Sequence, residues 1–160
     1  MTAPKKIRIP SESDPDGRFY CVGVDRRGNQ FMGFVTGAFP KNNPYPNSSD
    51  DWQAIKRWYA VVHYFDREGN HLRSNIQLGG TTAAGQAAAI EQALTALTTM
   101  HSQIDRPRKH DIFIKTFALE HEGYLFGLIH EVSEEGIESM TLQPNDIMFH
   151  PPWDSAIYST

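Results

Sequence analysis

The stretch Trp58-Tyr59-Ala60-Val61-Val62-His63-Tyr64-Phe65 runs into Asp66-Arg67-Glu68-Gly69-Asn70, after which His71 to Leu78 reads as a second extended run. Aromatic and β-branched side chains suit the pleated surface of a sheet. Glycine takes positive φ at no steric cost, and Asp or Asn bonds the backbone two residues on. The stretch is therefore a β-hairpin. The same text stands earlier in the chain. Phe19 to Val24 leads through Asp25-Arg26-Arg27-Gly28-Asn29 into Gln30 to Phe39. A shared turn solution explains this likeness as well as an internal duplication does.

Outward from the hairpins the chain reads as follows. Residues 1–17 are a lead-in, dense in turn formers from Ser11 to Gly17, with Ile7 and Ile9 spaced for a sheet edge. Between the hairpins, residues 40–51 form a polar loop that carries Pro40, Pro44, Pro46 and the aromatic Tyr45. Loops of this length are uncommon in compact domains and are often functional. Trp52 and Ile55 suggest one helical turn capped by Asp50 or Asp51, then a strand. Gly79-Gly80-Thr81-Thr82 closes the second hairpin and opens a helix capped by Thr81 or Thr82. Ile90, Leu94, Leu97, His101 and Ile104 draw the face expected to pack on the sheet. Pro107 ends the helical region, where Arg106, Arg108 and Lys109 complement the helix dipole.

After the helix, Asp111–Leu119, Tyr124–Val132, Ile137–Leu142 and Ile147–His150 read as a meander. The expectation is an α+β fold in a single domain, residues 1–160. An antiparallel sheet of two hairpins plus a C-terminal meander carries one long helix on one face. Residues 150–160 are an aromatic tail, with Trp153 and Tyr158 after the rigid Pro151-Pro152 step. Such a tail either docks on its own domain or forms a recognition surface.

Composition narrows the function. The chain has 160 residues, is 39% hydrophobic and carries a net charge of −4. That balance argues against dedicated nucleic-acid binding and against a polybasic membrane anchor. No apolar run is long enough for a spanning helix, and no secretory signal is evident, so a cytoplasmic protein is expected. Cys21 is the sole cysteine, which excludes an internal disulfide and reads as a buried, unreactive thiol. Gly79-Gly80-Thr81-Thr82 lacks the lysine of a phosphate-binding loop. The seven histidines show no metal-ligand spacing, although His63 and His71 flank one turn and His121 and His130 lie on adjacent predicted strands. No catalytic residue, cofactor or metal is assigned. The candidate contacts to another protein are Tyr45, Trp52, Trp153 and Tyr158, since exposed aromatics dominate interface energetics.

The ending Phe149-His150-Pro151-Pro152-Trp153-Asp154-Ser155, closing on Tyr158-Ser159-Thr160, resembles a family of small bacterial proteins described as formate hydrogenlyase regulatory (HycA-like) proteins. Gly28 to Phe34, Asp51-Trp52, Lys56 to Gly69, Asp111-Ile112 and Phe126-Gly127-Leu128 fit the same resemblance. It implies a protein that antagonises an activator of formate-metabolism genes by direct contact, without catalysis, and it brings no ligand residues. A regulatory protein-interaction module is therefore the leading expectation. The alternative is an immunity protein that caps a basic toxin, towards which an acidic surface steers it. A small-ligand or metal-binding protein using His63, His71, His121 or His130 is the third class.

Overall fold

The computed structural model describes residues 3–11, 19–47, 51–151, 153 and 158–159, with only the backbone of the last two. The predicted turns within 12–17, the cap at Asp50 and the tail residues 154–157 lie outside the described residues.

The first hairpin is β2 (Cys21–Val24) and β3 (Gln30–Ala38); the second is β4 (Arg57–Phe65) and β5 (His71–Thr81). Their turns share the same pair of backbone bonds to the leading aspartate. Asp25 accepts from Arg27 N–H at 2.8 Å and from Asn29 N–H at 3.0 Å. Asp66 accepts from Glu68 N–H and Asn70 N–H, both at 2.9 Å. The Asn70 side-chain amide also donates to Asp66 at 2.9 Å, and this bond, with the backbone ones after it, holds the exposed Asp66 carboxyl below its ordinary range.

Both hairpins join one five-stranded antiparallel sheet, β5-β4-β3-β2-β6, whose last strand is β6 (Arg108–Lys109). Arg108 and Lys109 pair with Val24 and Gly23, so the residues read only as positive charge after the helix also form an edge strand.

The short helix α1 (Trp52–Ile55) precedes β4, as expected, although Asp51 makes no side-chain cap bond. The long helix α2 (Thr82–Ser102) starts at Thr81, whose hydroxyl accepts from Ala84 N–H at 3.1 Å. Gly85 alone departs from helical angles. The helix covers one face of the sheet with only part of the predicted stripe: Leu97 and Ile104 are buried as expected and His101 is half-buried. Ala89, Ala93, Leu97, Met100 and Ile104 are buried, whereas Leu94 is exposed and Ile90 is only half-buried. The reason is close approach. A Cβ on Gly79 would lie 2.4 Å from the Ala89 carbonyl oxygen and 2.8 Å from the Ala93 Cβ. Only small side chains fit where helix and strand meet so tightly.

The meander forms a second five-stranded sheet instead of extending the first. Its order is β12-β11-β10-β9-β8, from β8 (Phe117–His121), β9 (Tyr124–Val132), β10 (Glu138–Gln143), β11 (Ile147–Phe149) and β12 (Tyr158–Ser159). This sheet packs on the face of the first that α2 leaves free. Strand alternation on β4 makes the three layers possible. Ala60, Val62 and Tyr64 meet the helix with Leu97 and Met100. Tyr59, Val61 and Phe65 meet Tyr124, Phe126 and Leu128 of the second sheet. Covered on both sides, β4 is a near-continuous apolar run.

The predicted strand Asp111–Leu119 breaks at Lys115-Thr116. Its first part is β7 (Ile112–Ile114), which pairs with β1 (Ile7–Ile9) in a two-stranded ribbon. Ile7 and Ile9 are fully buried, so part of the supposed lead-in is core. The Gln30 amide ties the ribbon to the first sheet: it donates to the carbonyls of Asp66 and Phe113, both at 2.9 Å, and accepts from Phe113 N–H at 2.8 Å.

Candidate functional site

The predicted contact aromatics separate into two groups. Tyr45 stands on the loop after β3, 82% exposed. The start of that loop is fixed, because Lys41 N–H donates to the Gly123 carbonyl at 2.8 Å and Asn43 N–H to the Pro40 carbonyl at 3.0 Å. Tyr45 and Trp52 line one shallow hollow of about 410 Å³ with Phe39, Pro44 and Asp146. A second hollow of about 210 Å³ adjoins it across Tyr45, walled by Leu125 and Pro144. The structure thus brings Tyr45 and Trp52 together.

Trp153 lies elsewhere, partly buried and packed against the core between the sheets. Its indole N–H is buried without a hydrogen-bond partner among the described residues. Tyr158 pairs through its backbone with Phe149 in β11. The tail therefore follows the docked alternative at these two points.

The histidines sort differently. His63 and His71, which flank the second turn, do meet, with ring centroids 6.0 Å apart. Ser74 stands between them, its Oγ 2.5 Å from His63 Nδ1 and 2.7 Å from His71 Nε2. The hydroxyl has one proton, so it donates to one ring and accepts from the other. Phe117 of β8 stacks on His71 with centroids 4.5 Å apart. Phe34, Phe65 and Phe117 enclose His63, which is fully buried with Nε2 unpartnered. Burial, reinforced by nearby His71, drives the His63 pKa down to about 3. Burial lowers that of His71 as well. The trio is a neutral polar seam between layers. Of the other two, His121 sits edge-on to Tyr59 and Phe126, and His130 pairs with Glu138 at 3.3 Å. Among the described residues, no three His, Cys, Asp or Glu side chains converge to hold a metal ion.

A further hollow of about 530 Å³ is lined by Tyr20, Cys21, Phe31, His101 and Arg108, among others. Burial pushes the Cys21 thiol up to about 12, so at neutral pH it presents a thiol where a nucleophile needs the thiolate. A thiol-reactive disulfide reagent at pH 8 is therefore expected to modify Cys21 only slowly in the native protein and immediately on unfolding. Rapid native-state labelling would contradict this assignment.

No known protein family, curated protein or solved structure matches the chain. No helix among the described residues is long and apolar enough to cross a membrane.

Sequence reasoning missed one feature. The acidic turn at Glu134-Glu135 borders a hollow of about 870 Å³ whose lining includes Val132, Ile137 and Met148. Val132 and Ile137, flanking the turn residues, were the available signal.

Proposed function

We propose that the protein is a non-enzymatic, cytoplasmic interaction module that acts on another protein by direct contact, in a regulatory role. The observation that carries this reading is Tyr45, 82% exposed on an anchored loop above the hollow it shares with Trp52. An aromatic ring presented at low entropic cost beside a recess is the usual anchor of a protein interface. The resemblance to formate hydrogenlyase regulatory (HycA-like) proteins points to the same class of action, with a transcriptional activator as the partner.

Tyr45→Ala is expected to weaken partner capture from the native cell by at least about tenfold while leaving the melting temperature unchanged. A protein retained equally by wild type and by the Tyr45→Ala and Trp52→Ala variants would defeat the assignment of this surface.

A second reading is an immunity protein that neutralises a toxin by capping it. The net charge of −4 and the glutamates at the β9–β10 turn favour it, since they would steer the chain onto a basic surface.

A further inference from the structure

The turn between β9 and β10 is a rigid one. Ser133 N–H donates to the Ile137 carbonyl and Gly136 N–H to the Ser133 carbonyl, both at 2.9 Å. Ile137 N–H donates to Ser133 Oγ at 3.1 Å. On either side of this turn Val132 and Ile137 are 58% and 57% exposed, and Met148 on β11 is 37% exposed. A single exposed aliphatic side chain is ordinary; three lining one hollow make an apolar patch that needs explaining. Glu138, in the same wall, is committed to His130 at 3.3 Å and to Ala3 N–H at 2.7 Å. Glu131, Glu134 and Glu135 border the patch with no ion-pair partner among the described residues.

We propose that this hollow docks a cationic, amphipathic segment of another protein. Its apolar side chains rest on Val132, Ile137 and Met148, and its lysines or arginines meet Glu131, Glu134 and Glu135. Charge selects the occupant. Nucleic acid and anionic lipid carry the same sign as the rim. A second copy of the chain would set the same glutamates against each other, which is costly. The braced turn means little ordering is needed on binding. The surface shares no lining residue with the hollow at Tyr45, so the proposal stands independently of the leading functional reading.

The probe is a fluorescent peptide of lysine and leucine at amphipathic helical spacing, followed by anisotropy. Two control peptides replace leucine by serine or lysine by glutamate. The lysine–leucine peptide is expected to bind saturably and to weaken as salt rises. The double variant Glu134→Lys, Glu135→Lys and the single variant Ile137→Ser should each lose about tenfold in affinity. Both change exposed positions, and equal melting temperatures would verify folding. Tyr45→Ala should leave peptide binding unchanged, which separates this proposal from the regulatory one. Equal binding of either control peptide, or insensitivity to the groove variants, overturns the proposal. So does concentration-dependent dimerisation abolished by Ile137→Ser, which would assign the groove to a second copy.

Discussion

Lowering the pH from 6.5 to 4 is expected to destabilise the fold by about 1 kcal/mol per pH unit through His63 alone. In the folded protein its pKa is depressed to about 3 by burial, whereas an unfolded histidine titrates near 6.5. Between these values the unfolded chain takes up a proton that the native state refuses. Stability is therefore complete above about pH 6.5 and drains away as the pH falls towards 3. His71, lowered in the same direction by its own burial, adds to the slope. Asp66 and Asp111 are held below the usual carboxylate range mainly by hydrogen bonds. They contribute only near the acid end, so the upper part of the window isolates the histidines. The control is His63→Leu, which removes the titrating ring and its unpartnered Nε2 and leaves Ser74 bonded to His71. Urea unfolding at several pH values should show a variant at least as stable at pH 5 as wild type, with a flatter acid slope. An unchanged slope would show that His63 is not the group responsible.

Gly79→Val is expected to cost about 3 kcal/mol or more, at the upper end for overpacking. The contact is unusual because its nearest atom is backbone: the added Cβ would lie 2.4 Å from the Ala89 carbonyl oxygen and 2.9 Å from the Ala93 nitrogen. A side chain can swing aside, but these atoms belong to the hydrogen-bonded body of α2. The register shift between Trp58 and Tyr59 leaves Gly79 between paired neighbours, with Leu78 opposite Tyr59 and Gly80 opposite Trp58. Relief requires either lifting the helix off β5 or abandoning that irregularity. Ala89→Gly should accordingly fail to rescue the variant, since it leaves the obstructing carbonyl in place. A loss below about 1 kcal/mol in thermal or urea unfolding would mean that the helix moves outward freely.

Much of this architecture is legible in the sequence where local chemistry decides it. The Asp–x–x–Gly–Asn turns announce both hairpins, and Thr81 announces the start of α2. The buried helix face was read only in part, at Leu97 and Ile104, because hydrophobic periodicity gives little weight to alanine, and Ala89 and Ala93 are buried by proximity to a glycine ten or more positions earlier. The separate second sheet was hidden for a related reason. Its only advance sign was that β4 is apolar on both faces, which signals cover on both sides. Arg108 and Lys109 carried no strand signal, since a short edge pairing uses the backbone and leaves side-chain type free. At the histidines, the approach of His63 to His71 follows from their flanking one turn. The interposed Ser74 depends on which face of β5 turns inward. The groove at Ile137 escaped because a solvated acidic turn and an acid-rimmed recess have the same local text.

The ribbon of β1 and β7 has a consequence for the making of the protein. Ser11 is tied to Asp111 across 100 residues of chain, and Ile7 and Ile9 find their strand partner only in Ile114 and Ile112. On a ribosome adding about 5–20 residues per second, that partner emerges on the order of ten seconds after the first strand. During this interval the two hairpins and α2 can assemble, while two isoleucines destined for the centre of the core stay without their strand partner. The neighbouring Lys5, Lys6 and Arg8 suit that wait, because charges flanking a sticky segment keep it from pairing with the wrong edge.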